Sequence, residues 1–216
     1  YEKHPLNAQS PYAASKVSAD QLALSYFKSF GLPVKIIRPF NTFGPRQSAR
    51  AVIPRIILQC LNKKNQKLIL GSTEPTRDFN FVDDTCEAYF KVLKSKKILG
   101  DVVNVGSNTN ISIDNLSKKI MNLIGRKLII IKNKNIVRPK LSEVDNLQCD
   151  NKKIKIFTKW ESEISLDNGL KKTINWIENN YSKYSDKSSS EAGATISKFG
   201  INDIRPISSI AWWDVP

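Results

Sequence analysis

Short apolar runs bounded by turn residues alternate with helix-length amphipathic segments along most of this chain of 216 residues, and no other feature restricts the fold as much. A strand, a helix and a further strand in succession pack as a mainly parallel sheet with helices on its faces, which is the α/β class. The first helix is predicted from Ser10, a good N-cap, and Pro11, suited to the first helical position. Ala19, Leu22, Ala23, Tyr26, Phe27 and Phe30 then recur at the spacing of one buried stripe, until Gly31 and Pro33 end it. Val34 to Ile37 reads as a strand that breaks into a polar loop at its carboxyl end, where ligands collect in open α/β sheets. Further elements are expected as a helix at about 51–61, a strand at 68–71 and a helix capped by Asp83 or Asp84 with Ala88, Tyr89, Val92 and Leu93 inside. A strand at 102–106, a Ser112-capped helix ended by Gly125, a strand at 128–131 and a helix at 166–181 with Trp176 and Ile177 inward complete the pattern.

Tyr12 and Lys16 lie four residues apart in that first helix, so a phenol and an ammonium fall on one face, one turn from each other. A nearby cation favours the phenolate; moving a tyrosine from its ordinary value near 10 to about 7 takes roughly 4 kcal/mol, the size of one close charge at intermediate dielectric. Such a pair suits proton transfer with a sugar or alcohol hydroxyl. The same spacing also occurs in helices that carry no chemistry, so the surrounding motifs decide.

Ser10-Pro11-Tyr12-Ala13-Ala14-Ser15-Lys16, Arg38-Pro39-Phe40-Asn41-Thr42-Phe43-Gly44-Pro45-Arg46-Gln47 and Arg77-Asp78-Phe79-Asn80-Phe81-Val82-Asp83-Asp84 come in that order. With them the chain resembles the extended short-chain dehydrogenase/reductases, in particular the NAD-dependent epimerase/dehydratase family. The segments 47–54 and 138–144 resemble N-acetylglucosamine-nucleotide 4,6-dehydratases of the legionaminic-acid type. The resemblance covers roughly residues 1 to 180. It implies the C-terminal part of a Rossmann-like doubly wound parallel sheet plus a smaller α/β substrate-binding domain. Residues 1–47 would end the dinucleotide-binding domain and carry the catalytic helix. Residues 48–185 would form mainly the substrate domain, with about 79–106 returning to the Rossmann sheet, and 186–216 match nothing in the family. The family's glycine-rich phosphate turn has no counterpart among the nine glycines. The expectation is therefore a C-terminal fragment of a longer enzyme, inactive by itself.

The resemblance assigns Tyr12 as the proton acceptor for a sugar C4 hydroxyl and Lys16 as its partner on the nicotinamide ribose of NAD. Pro39 and Thr42 would meet the nicotinamide end. Asn41, with the backbone of Ala51 and Val52, would contact the nucleotide-sugar, and Arg77 and Arg138 would face its diphosphate, for which a planar guanidinium is suited. Each has a structural alternative: Asn41 could only shape the turn, Arg77 could pair with Asp78 or Asp83, and Arg138 could be a loop residue. Glu143 is a weaker candidate, and Glu2 reads as a surface residue. The implied reaction is a nucleotide-sugar 4,6-dehydration on an N-acetylhexosamine nucleotide, in polysaccharide biosynthesis. The acid and base for C5 and C6 belong to a family segment preceding the tyrosine, so a 4-epimerase remains open, as does a non-catalytic binding module.

Composition narrows the partners. Lys+Arg 34 against Asp+Glu 20 gives a net charge of +14, which favours anionic partners. Nucleic-acid binding is not expected, because the basic residues lack interleaved aromatics or a recognisable module and are spread in pairs such as Lys63-Lys64 and Lys118-Lys119. No apolar run approaches membrane length. Cys60, Cys86 and Cys149 read as buried thiols of a reducing cytoplasm rather than disulfides, and His4 is the only histidine, so a metal site is not expected. A homodimer is implied by the family, through the tyrosine helix, with Phe27 and Phe30 available for the contact.

Overall fold

The computed structural model describes residues 1–137 and 140–185. Helix α1 (Pro11–Phe30) starts where Ser10 Oγ accepts the Ala13 amide hydrogen at 3.1 Å, and it ends at Gly31 in the left-handed region, φ 67°. Strands β1 (Lys35–Pro39) and β2 (Asn41–Phe43) follow, then α2 (Val52–Leu61) and β3 (Lys67–Leu70). Next come β4 (Thr76–Arg77), β5 (Phe79–Phe81), α3 (Val82–Lys94) and β6 (Asp101–Val105). The remainder is β7 (Ile111–Ser112), α4 (Ile113–Ile124), β8 (Ile129–Lys132), β9 (Asn146–Leu147), α5 (Lys152–Thr158), α6 (Leu166–Asn179) and α7 (Tyr181–Ser185). The α/β expectation holds: β1 pairs with β6, β2 with β5 and β3 with β8, all parallel. Strand β4 sits between antiparallel β7 and parallel β9.

Two cores result. The larger packs Ile53, Ile56, Ile57 and Cys60 of α2 against Leu116 and Ile120 of α4, Leu170 and Ile177 of α6, and Phe43 and Phe81 of β2 and β5. The smaller sets Ala88 and Val92 of α3 on Val103 and Val105 of β6, closed by Ile154 and Trp160. These stripes follow the helical period of the sequence, because each helix has a sheet or another helix to cover.

Helix α1 departs from expectation. Only Ala13 of it is buried, while Leu22 is 61% and Phe30 77% exposed. Periodicity records that a face is apolar, not that something lies against it; among the described residues β1 is paired on one edge only, so little sheet underlies this helix. Tyr89 and Leu93 of α3 are likewise exposed rather than inside. Phe27 is the partial exception: Gly100, at φ 66°, lets its ring sit where a Cβ would lie 2.0 Å from the ring edge. Helix α3 takes Phe81 as N-cap with no side-chain cap bond. Asp84, proposed as a cap, instead turns inward and accepts from Ser162 Oγ at 2.9 Å and the Ile164 amide at 3.0 Å. Cys60 and Cys149 are buried free thiols, but Cys86 is exposed. Among the described residues no helix is long and apolar enough to cross a membrane.

Gly169 brings α6 close against β2 and β5. A Cβ there would stand 2.6 Å from Phe43 Cζ and 2.8 Å from Phe81 Cδ2. Overpacking of a core costs about 1–3 kcal/mol, against about 1 kcal/mol of helix propensity gained from Gly to Ala. Gly169→Ala is thus expected to lower the urea midpoint, corresponding to a net loss of up to about 2 kcal/mol; a raised midpoint would contradict the close packing.

Candidate functional site

Ser10 and Pro11 fix where α1 begins, and this sets Tyr12 in its first turn. One turn later Lys16 places Nζ 5.2 Å from the centroid of the Tyr12 ring, inside cation–π range. The Tyr12 hydroxyl oxygen is shielded from solvent. Lys16 lines a cleft of about 150 Å³ whose walls include Val17 and Asp20 from the same helix, Ile37, Arg38 and Pro39 from β1, and Asn104 from β6. Apolar walls at Val17, Ile37, Pro39 and Leu147 beside the Lys16 ammonium and the amides of Asn104, Asn146 and Gln148 suit a ring with a polar substituent.

A second cleft has a volume of about 290 Å³. Asn41, Thr42, Ala51, Val52, Arg77 and Glu143 all line it. Pro39 belongs to the first cleft and Asn41 to the second, so the segment between the two strands is a shared wall at the carboxyl ends of parallel strands. Asn41 is only 8% exposed, and both its backbone N–H and its Nδ2 donate to the Asp78 carbonyl, each at 3.1 Å. That leaves Oδ1 and the second Nδ2 hydrogen as the remaining hydrogen-bonding groups of the side chain. Thr42 Oγ1 shares a hydrogen bond with Thr85 Oγ1 at 3.1 Å, and the Thr42 carbonyl accepts from Gln47 Nε2 at 3.0 Å. Ala51 is the N-cap of α2 and makes no side-chain cap bond, so the first-turn amides of that helix face the cleft end without a side-chain acceptor.

Arg77 is held, though not by the acids beside it in sequence. Its Nη2 lies 2.6 Å from Glu143 Oε1, and its Nη1 donates to the carbonyls of Val144 at 2.6 Å and Thr76 at 2.9 Å. Asp78 points the opposite way and is fully buried. Its carboxylate accepts from Ser107 N and Oγ, Asn108 N and Cys149 N at 2.6–3.0 Å. Burial pushes the Asp78 carboxyl above the ordinary carboxylate value despite those four donors. Burial and the neighbouring Asp78 in turn push the Cys149 thiol upward.

The predicted site residues thus fall into two groups: Lys16 and Pro39 on one cleft beside Tyr12, and Asn41, Thr42, Ala51, Val52 and Arg77 on the other. Arg138 lies outside the described residues. Glu2, expected at the surface, is half-buried, and its Oε1 accepts from the Asn104 amide at 2.9 Å. Sequence reasoning missed Asp78 as the residue that holds Asn41, and it missed Asn104 and Gln47 as cleft residues. An acid following Arg77 was visible, but nothing local marks it as buried.

A profile of the GDP-mannose 4,6 dehydratase family matches residues 1–173. The dTDP-D-glucose 4,6-dehydratase of Dictyostelium discoideum is 41% identical over 122 residues, which cover 56% of this chain and 28% of that protein. A putative UDP-glucose 4-epimerase of Methanocaldococcus jannaschii is 32% identical over 181 residues, covering 83% of this chain and 57% of its own length. Among solved structures, dTDP-glucose 4,6-dehydratase from Bacillus anthracis in complex with NAD superposes with a TM-score of 0.77 at 30% identity, over 86% of this chain and 58% of that one. The match thus spans 28% of the Dictyostelium protein and little more than half of the length of the other two. Its fold is Rossmann-like, and with the family match over most of its length the chain belongs to the GDP-mannose 4,6-dehydratase family, among the NAD-dependent epimerases and dehydratases of nucleotide sugars.

Proposed function

We propose that this chain supplies the catalytic helix and the nucleotide-sugar cleft of an NAD-dependent nucleotide-sugar 4,6-dehydratase. The observation that carries this reading is the Tyr12–Lys16 pair beside a cleft, with Asn41 and Arg77 gathered in a second cleft across one shared wall. Lys16 and Pro39 would hold the nicotinamide ribose end of NAD; the apolar strip of Val17, Ile37 and Pro39 beside one ammonium fits that group. When bound, NAD supplies the hydride chemistry at sugar C4 and C6.

In this reading the Tyr12 phenolate oxygen takes the proton of the C4 hydroxyl, and the Lys16 ammonium offsets the negative charge of the phenolate before that transfer. Asn41 Oδ1 accepts a hydroxyl or amide hydrogen of the ligand. The uncapped first turn of α2 at Ala51 and Val52 favours negative charge, as a helix N-terminus does. Arg77 stays on Glu143 through Nη2 and on the Thr76 and Val144 carbonyls through Nη1, and its Nε–H is the donor it would offer the diphosphate; the family resemblance adds Arg138 as a second cation. An N-acetylhexosamine nucleotide is the proposed substrate, from the resemblance of the segments 47–54 and 138–144. A glycine-rich segment outside these 216 residues would cradle the pyrophosphate of NAD. A 4-epimerase is the second reading, favoured by the 32% identity to the Methanocaldococcus protein over 83% of this chain.

The test is binding. UDP, dTDP and GDP added in turn to the ¹⁵N-labelled chain are expected to shift the amides of Asn41, Ala51, Val52 and Arg77. Arg77→Gln is expected to weaken that binding by about 10- to 100-fold, the worth of a charged hydrogen bond. Amides of the second cleft left unmoved by all three diphosphates at millimolar concentration would refute the nucleotide-sugar reading.

A further inference from the structure

Lys16 has a potential competitor for its attention on its own helix. Asp20 follows it by one turn on the same face, and both side chains line the first cleft. A lysine and a carboxylate four apart on a helix attract one another. Left to itself, Asp20 would draw the ammonium along the helix and away from the ring of Tyr12. In the structure this carboxylate is already occupied. Arg38, from β1, sets its Nε 2.7 Å from Asp20 Oδ2, and the two side chains are only 20% and 16% exposed. A second guanidinium nitrogen of Arg38 donates to the Glu2 carbonyl at 3.3 Å, which fixes the plane of the group.

We propose that Arg38 is a positioning residue: its guanidinium sequesters the Asp20 carboxylate, and Lys16 is thereby kept on Tyr12. The proposal rests on the reading of Tyr12 and Lys16 as the reactive pair. The charged and titratable groups of that cleft are Tyr1 and His4 from the amino-terminal segment, Lys16 and Asp20 from α1, and Arg38 from β1. The Glu2 carboxylate beside them is turned to the Asn104 amide. Asp20 is therefore the carboxylate whose release would matter. Arginine suits this task better than lysine, because it grips Asp20 through Nε and still has nitrogens left to anchor itself.

The test uses the whole chain and the NMR position of the Lys16 ε-methylene protons. An ammonium lying over the Tyr12 ring places these protons in its ring current, so they should resonate upfield of their position in Tyr12→Leu. Arg38→Gln is expected to lose that upfield shift, as Lys16 turns to the released carboxylate. The double variant Arg38→Gln/Asp20→Asn is expected to regain it, and Asp20→Asn alone to keep it. Recovery in the double variant separates sequestration from the simple loss of a cation, which the double variant shares. Should Arg38→Gln fail to fold, Arg38→Lys is read instead, with a partial loss expected because a single ammonium grips Asp20 less well. An Arg38 variant that keeps the wild-type position, or a double variant that does not recover, overturns the proposal. A wild-type chain indistinguishable from Tyr12→Leu would instead strike the Tyr12–Lys16 pairing itself.

Discussion

Tyr12→Phe is expected to lower turnover by about 10²- to 10⁴-fold, the usual worth of a positioned proton-transfer group. Turnover would be measured on the chain joined to the part of the Bacillus anthracis dehydratase that the match does not cover. The substitution removes one oxygen and nothing else. The ring remains beneath Lys16, 5.2 Å from Nζ to centroid, and the Ser10 cap that starts the helix is untouched. The loss should therefore fall on kcat, with KM for the nucleotide-sugar nearly unchanged, because the residues proposed to bind it line the other cleft. Stability should move by no more than about 1 kcal/mol, the net worth of one ordinary hydrogen bond. A phenylalanine variant retaining more than about a tenth of the wild-type kcat would show that Tyr12 is not the proton-transfer group.

Asp78→Asn carries the largest expected loss of stability, about 2–4 kcal/mol by urea denaturation. Four donors converge on the two carboxylate oxygens, and an amide replaces one of those oxygens with an NH₂ group that faces N–H groups. At least one buried donor is then left without an acceptor. The consequence reaches the second cleft, because the carbonyl of the same residue holds Asn41 at two points. The pH dependence has a definite sign. Burial raises the folded-state value of the Asp78 carboxyl above the ordinary one, so between those two values the folded chain binds more protons than the unfolded chain. Stability contributed by this group is complete below the unfolded value, near 4, and falls as pH rises through the folded value. The stability of the wild type minus that of the Asn variant should thus decline with rising pH across that window. A difference that stays flat, or grows, would mean that Asp78 is not the buried carboxylate described here.

Much of the architecture was legible because it is written in short-range terms. Ser10, Ser112, Gly31 and Gly125 cap helices as their chemistry requires, each acting on groups within four residues. The apolar periods of α2, α4 and α6 named the larger core. The same reasoning misjudged α1, whose stripe at Leu22, Tyr26 and Phe30 stays in solvent. It also misjudged Asp84, a good cap on local grounds that turns inward instead to bond Ser162 and Ile164, 78 and 80 positions further along the chain. Of the candidate site, the residue types and the two strand ends were visible; their division between two clefts was not.

From sequence alone came the α/β alternation, the helix limits and the placing of a phenol and an ammonium on one helical face, since all of these follow from the 3.6-residue period and from capping. Tertiary structure alone decided which charge meets which. Glu143 holds Arg77 across 66 positions, Cys149 donates to Asp78 across 71, and Arg38 takes Asp20 from a different element across 18. An ion pair or a buried carboxylate depends on where two distant segments are brought together by burial of the apolar faces between them. No window of neighbouring residues contains that information.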